Sequence, residues 1–189
     1  MLVVRNKKES VEIMKELGVN YFPLQVFEKE DIKGIEKFFN DYPSKEYILR
    51  NTDKAKGGFY FVNNFNEALS FLEKFEKRVT VGVSYNPFKN NIVLVGDIKI
   101  EKSEDNVFVN LTARTDKNAT HRNIYDKPKY NLNCTIEDDK LWEIDGMGDI
   151  LKYITEYGLL NCIVEFAVYD KKLGVNNENV VISEIRTGY

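Results

Sequence analysis

CIVEFAVYD (162–170) and NVVISEIR (179–186) are two short runs rich in β-branched and aromatic residues, separated by the turn-forming KKLGVNNE (171–178). Runs of this length bounded by Gly and Asn read as strands, and their separation predicts an antiparallel pair closing the chain. Side chains alternate between faces along a strand. Ile163, Glu165 and Ala167 are therefore expected on one face of the first strand, and Val180, Ile182, Glu184 and Arg186 on one face of the second. A hairpin centred near Gly174 and Val175 sets Glu165 directly opposite Glu184.

Like charges directly across a strand pair destabilise it, and burying either glutamate unpaired costs several kcal/mol. Something must compensate. Two neighbouring carboxylates suit Mg²⁺, which keeps several waters and takes one or two carboxylates together with substrate phosphates. Arg186, or a lysine on a solvated sheet face, would neutralise them instead, and the residues leave both readings open.

Working outward, residues 8–17 place Val11, Met14 and Leu17 at helical spacing before Gly18, and 30–43 place Ile32, Ile35, Phe38 and Phe39 on one helical face before Pro43. YFPLQVF (21–27), with its early proline, reads as an edge or irregular strand. EYILRNT (46–52) and GFYFVN (58–63) flank the turn DKAKG and predict a hairpin. A helix follows over 64–77, capped by Asn64 or Asn66, and another over 148–160. RVTVGVSYN (78–86), NIVLVGDIKIEK (91–102) and NVFVNLTAR (106–114) predict an antiparallel meander, and Thr115 to Asn133 a long polar loop. Trp142, Leu141 and Ile144 are expected in the core beneath the last helix. The fold class is thus α+β, a mostly antiparallel sheet with four helices packed on it. Residues 1–189 are expected to form a single domain, with 1–77 and 78–189 as subdomains at most.

Several basic residues are further candidates. Arg50 interrupts the apolar pattern of its strand, and its planar fork suits bidentate contact with phosphate. Lys54 and Lys56 with Gly57 and Gly58 form a basic, flexible turn that suits phosphates but lacks Walker spacing, so an ordinary hairpin turn is the better reading. Arg114, Lys117, His121, Arg122, Lys127 and Lys129, interleaved with Tyr125 and Tyr130, form a basic stretch that suits a polyphosphate, a nucleic-acid backbone or an acidic protein, or is simply solvated. Asp97 and the group Glu137, Asp138 and Asp139 supply more carboxylate.

The formal net charge of −3 argues against a general binder of nucleic acid or anionic membrane. Cys134 and Cys162 lie far apart with no CxxC, which predicts free buried thiols and a reducing compartment. No apolar run reaches the length of a membrane span, and the start turns charged too early for a signal peptide, so a cytoplasmic location is expected. No Ser-His-Asp or Cys-His nucleophile motif is present.

The order of these elements resembles the ATP-grasp fold, in particular the nucleotide-binding domain of the phosphoenolpyruvate synthase and pyruvate phosphate dikinase type. The resemblance is carried by Arg50 in YILRN, the KAKGG turn, the helix 64–77, the strands 78–114, and VEFAVYD with VVISEIR, whose last twenty-five or so residues match best. Neither the hinge motif usual after a strand such as VTVGVSY nor an acceptor-substrate domain is evident in these residues. The resemblance implies ATP with Mg²⁺ as ligands, the metal held by Glu165 and Glu184. It implies phosphate contacts from Arg50, Lys54 and Lys56, and orientation of the terminal phosphate by Arg186 or Arg122. Phosphoryl transfer or ligation would then proceed by charge positioning, without a protein nucleophile. The alternative is a non-enzymatic protein using the loop 114–130 to hold nucleic acid or an acidic partner.

Overall fold

In the computed structural model, which describes residue 4 and residues 7–52, 58–103, 105–115 and 128–187, the strands fall into two antiparallel sheets. Helix α1 (Lys7–Leu17) buries Val11 and Met14 and stops at Gly18, whose φ of 70° suits a residue without Cβ. β1 (Leu24–Glu28) leads to α2 (Ile32–Asp41), capped by Asp31 accepting from the Gly34 amide. The hairpin β2 (Tyr47–Asn51) and β3 (Phe59–Val62) precedes α3 (Phe65–Leu72), where Asn64 caps the Glu67 amide and the Glu67 carboxylate returns to the Asn63 amide. The helix stops five residues short of the expected end. The chain tightens there into turns bonded to Phe71 and Leu72, and Phe75 stays in the core without helical geometry.

β4 (Arg78–Val83) pairs with both β1 and β2, giving the order β1-β4-β2-β3 with β1 at an edge. One face of this sheet packs Phe27, Leu49, Val79 and Val81 on Ile35 and Phe38 of α2 and Ala68 of α3. The expected three-strand meander is corrected here. A 3₁₀ turn at Asn86–Asn91, with Pro87 removing an amide donor, carries the chain out of the first sheet, so β5 (Ile92–Lys102) begins the second.

β6 (Val107–Arg114) pairs with β5. β7 (Tyr130–Thr135) pairs with β6 and takes up residues 130–133, which the sequence reading left in the loop. A one-turn helix α4 (Asp139–Trp142), not anticipated, and α5 (Met147–Glu156) precede β8 (Cys162–Leu173) and β9 (Glu178–Arg186). The order is β7-β6-β5-β8-β9. Leu94, Ile98, Leu111, Val164 and Phe166 pack on Ile150, Leu151 and Ile154 of α5, with Met14 of α1 in the same core. Trp142 is not in that core. It is 50% exposed with its indole N–H bonded to the Ile136 carbonyl, because α4 turns Leu141 inward and the next residue points away. Among the described residues no helix is long and apolar enough to cross a membrane.

Candidate functional site

The site begins at a β-bulge. Phe166 is opposite Ile182 while Glu165 is opposite Glu184, so one step on β8 matches two on β9 and Ser183 is the extra residue. Glu165 and Glu184 do face each other across the pair, as the hairpin symmetry predicts. The expectation that Val180, Ile182, Glu184 and Arg186 share a face is overturned, because the bulge inverts the alternation. Val180, Ile182 and Ile185 enter the helix-covered core, and Glu184 points to the opposite face with Arg186. Asp97 on β5 lies opposite Glu165, so three carboxylates stand in one row across three strands.

Two cations answer the glutamates. The Arg186 guanidinium reaches Glu165 Oε1 at 2.6 Å and Glu184 Oε1 at 3.8 Å, and Lys7, the first residue of α1, donates to Glu184 Oε2. Burial holds the Glu165 carboxyl above its ordinary pKa and Glu184 adds repulsion, with Arg186 and Lys7 pulling the other way. Burial also raises Asp97. Arg186 and Lys7 thus neutralise the pair, but on a mostly buried face rather than the solvated sheet face of that alternative reading.

The facing wall comes from the first sheet. β2 turns Tyr47 and Leu49 into its own core and Ile48 and Arg50 the other way, and β3 likewise presents Phe59 and Phe61, whose rings meet edge to face at 5.3 Å. Arg50 is in register with Phe59 on one side and Thr80 on the other. With Glu165, Ser183, Glu184 and Lys7 on the far side, these residues enclose a cleft of about 370 Å³. Tyr85, Asn86 and Lys89, from the segment between the sheets, close its end. A narrower apolar extension of about 70 Å³ runs inward past Leu24, Gly82 and Ile182.

Of the residues singled out from sequence, Arg50, Glu165 and Glu184 line one cleft and Arg186 is bonded to both glutamates. Lys54, Lys56 and Arg122 lie outside the described residues, as do Lys117, His121, Tyr125 and Lys127. Of the rest of that basic stretch, Lys129 donates to Thr115 and stands over the Tyr130 ring. Cys134 and Cys162 are both free thiols, the latter pushed up to about 11 by burial. Sequence reasoning missed Lys7, Phe59, Phe61 and Ser183. Paired aromatics on an edge strand were a visible signal, but nothing local marks Lys7, which is 177 residues from its partner.

Among the described residues no three His, Cys, Asp or Glu side chains come close enough to form a metal site by themselves. The pair Glu165 and Glu184 nevertheless fits Mg²⁺ in kind. Each carboxylate is 21% exposed toward the cleft, and the disfavoured charge on Glu165 is what a cation relieves.

No family model matches the sequence, and no curated protein matches it. Solved structures do. D-alanine-D-alanine ligase from Helicobacter pylori aligns at 14% identity with a TM-score of 0.55, covering 96% of this chain and 53% of that one. N5-carboxyaminoimidazole synthase from Aspergillus clavatus, in complex with ADP and 5-aminoimidazole ribonucleotide, aligns at 11% and 0.55, covering 97% and 44%. D-alanyl-alanine synthetase A from Vibrio cholerae aligns at 10% and 0.54, covering 96% and 55%. The fold shared with these proteins is ATP-grasp-like, and the chain spans about half their length. None of the three carries the name of the phosphoenolpyruvate synthase or pyruvate phosphate dikinase type.

Proposed function

We propose that the cleft binds ATP, with Mg²⁺ held by Glu165 and Glu184, and that the domain serves phosphoryl transfer or ligation. The observation that carries this is the meeting, in one cleft of an ATP-grasp-like fold, of an arginine and two aromatic rings from one sheet with two in-register carboxylates from the other. The Phe59 and Phe61 rings suit the face of a nucleobase. Arg50 suits a bidentate phosphate contact, with Lys54 and Lys56, which follow it in sequence, as further phosphate ligands. Arg186 or Arg122 would orient the terminal phosphate. A bound Mg²⁺ would neutralise the polyphosphate and withdraw charge from the bond being broken. Such transfer relies on positioning and charge, which accords with the lack of a nucleophile motif. The likeness of the closing strands to the phosphoenolpyruvate synthase and pyruvate phosphate dikinase type is part of this proposal. The nucleic-acid alternative is not favoured by the ligases and synthetases that share the fold.

Calorimetric titration with ATP, with and without Mg²⁺, tests the proposal. Wild type is expected to bind in a magnesium-dependent manner. The double variant Glu165→Gln, Glu184→Gln, folded by circular dichroism, is expected to lose about a hundredfold in affinity or more, the scale of removing two charged ligands. Unchanged affinity in that variant would sink the assignment.

A further inference from the structure

Lys7 is fastened where it stands. Its ammonium donates to Glu184 and also reaches the carbonyl of the bulge residue Ser183 at 3.3 Å. The helix it opens is tied along β9: the fully buried Ser10 hydroxyl accepts from the Ile185 amide at 2.9 Å, and the Val4 carbonyl accepts from the Thr187 amide at 3.3 Å. These bonds bracket Lys7 in sequence, so its side chain has a short reach and two acceptors within it. On the other flank Arg186 bridges Glu165 and Glu184. The two glutamates are thus each bonded to a side-chain cation, and Arg50 and Lys89 add positive charge to the same cleft lining.

A divalent cation arriving alone must displace Lys7 from Glu184. It then leaves an ammonium and a guanidinium beside a metal ion of the same sign, in a partly desolvated cleft where such repulsion is weakly screened. A metal arriving on a polyphosphate brings with it the anion that the displaced cations need. We infer that Lys7 makes the glutamate pair refuse a free divalent metal and accept the metal–nucleotide complex, passing its ammonium from Glu184 to a phosphate oxygen as the complex docks. Lys7 acts here as a selectivity residue. The inference rests on the magnesium–nucleotide reading above.

Manganese is the probe, its free concentration followed by electron paramagnetic resonance, with wild type, Lys7→Met and Lys7→Arg each titrated with and without ADP. Wild type is expected to take up Mn²⁺ only when ADP is present. Lys7→Met should bind Mn²⁺ alone about ten- to a hundredfold more tightly than wild type, the scale of one charge-assisted hydrogen bond, and bind the Mn²⁺–ADP complex less tightly. Lys7→Arg, which keeps the cation, should restore the refusal. If wild type binds Mn²⁺ alone as well as Lys7→Met does, or if Lys7→Arg behaves like Lys7→Met, the role of Lys7 is overturned while the magnesium–nucleotide reading stands. Absence of Mn²⁺ uptake by every protein, with and without ADP, overturns both.

Discussion

Glu165 is the residue at which stability and site pull apart. Its carboxyl titrates above the ordinary value because burial and Glu184 disfavour the charge. The folded chain therefore binds that proton more tightly than the unfolded one. The associated stability is complete below the ordinary carboxyl pKa, roughly 4.3, and is lost as pH rises through the raised folded value. Asp97 acts in the same direction. Glu165→Gln leaves position 165 uncharged at every pH, so its melting temperature is expected to fall less than that of wild type as pH is raised from about 4 toward neutrality. Melting curves across that range check this; a wild type that gains on the variant as pH rises would contradict it. The variant should at the same time lose magnesium-dependent nucleotide binding. A substitution that steadies the fold while emptying the cleft is the signature of a carboxylate kept for its ligand.

At the scale of elements, the β8–β9 pair depends on Asn20, a polar residue that no strand pattern would mark. It is fully buried. Its side chain donates to the carbonyls of Leu173 (2.9 Å) and Val180 (2.7 Å) and accepts from the Asn176 amide (2.9 Å), and its own carbonyl accepts from Ile182 (2.8 Å). Gly174, at φ +77°, completes the turn, where a Cβ would collide with the Asn20 side chain. This clamp stands where the strand register shifts between Val168 and Leu173, a stretch in which ladder pairing alone does not hold the strands. Asn20→Ala leaves one buried and two part-buried backbone groups without that partner and is expected to cost about 3 kcal/mol in urea denaturation, at roughly 1–3 kcal/mol per unsatisfied group. A loss below about 1 kcal/mol would mean that solvent takes over those groups and that the turn stands by itself. Helices were the more legible elements, since α1, α2 and α5 follow from 3.6-residue spacing and α3 starts at the Asn64 cap. The bulge at Ser183 was not legible, because it answers to the partner strand and the core rather than to neighbours in sequence.

For the whole molecule, the segment between the two sheets decides how the cleft is shaped. Glu46, just before β2, latches it: one carboxylate oxygen accepts from Ser84 Oγ and from Asn86 Nδ2, each at 2.6 Å, and its carbonyl accepts from the Ser84 amide. Asn86 and its neighbour Tyr85 line the cleft. Glu46→Ala is expected to lower stability by about 2 kcal/mol and, with the chain still folded, to lower ATP affinity about tenfold. Phe38→Ala, deep in the first sheet's core and 2% exposed, should cost about 3–5 kcal/mol and leave affinity unchanged under folding conditions. Calorimetry on both variants separates the two effects, and an equal loss of affinity in each would deny the latch a special part.

What the sequence determined by itself was local: the α+β class and most helices and strands follow from periodicities of two and 3.6 residues and from turn chemistry, while the facing of Glu165 and Glu184 was read from hairpin symmetry and is reached in the structure through a bulge. Only the tertiary structure decided that β4 and β5 belong to different sheets, that Arg50 confronts the glutamates across a cleft, and that Lys7 occupies Glu184. The physical reason is range. Side-chain alternation and capping act over a few residues and are written in order along the chain, whereas a cleft between sheets is set by which apolar faces bury each other, and that choice joins residues far apart in sequence.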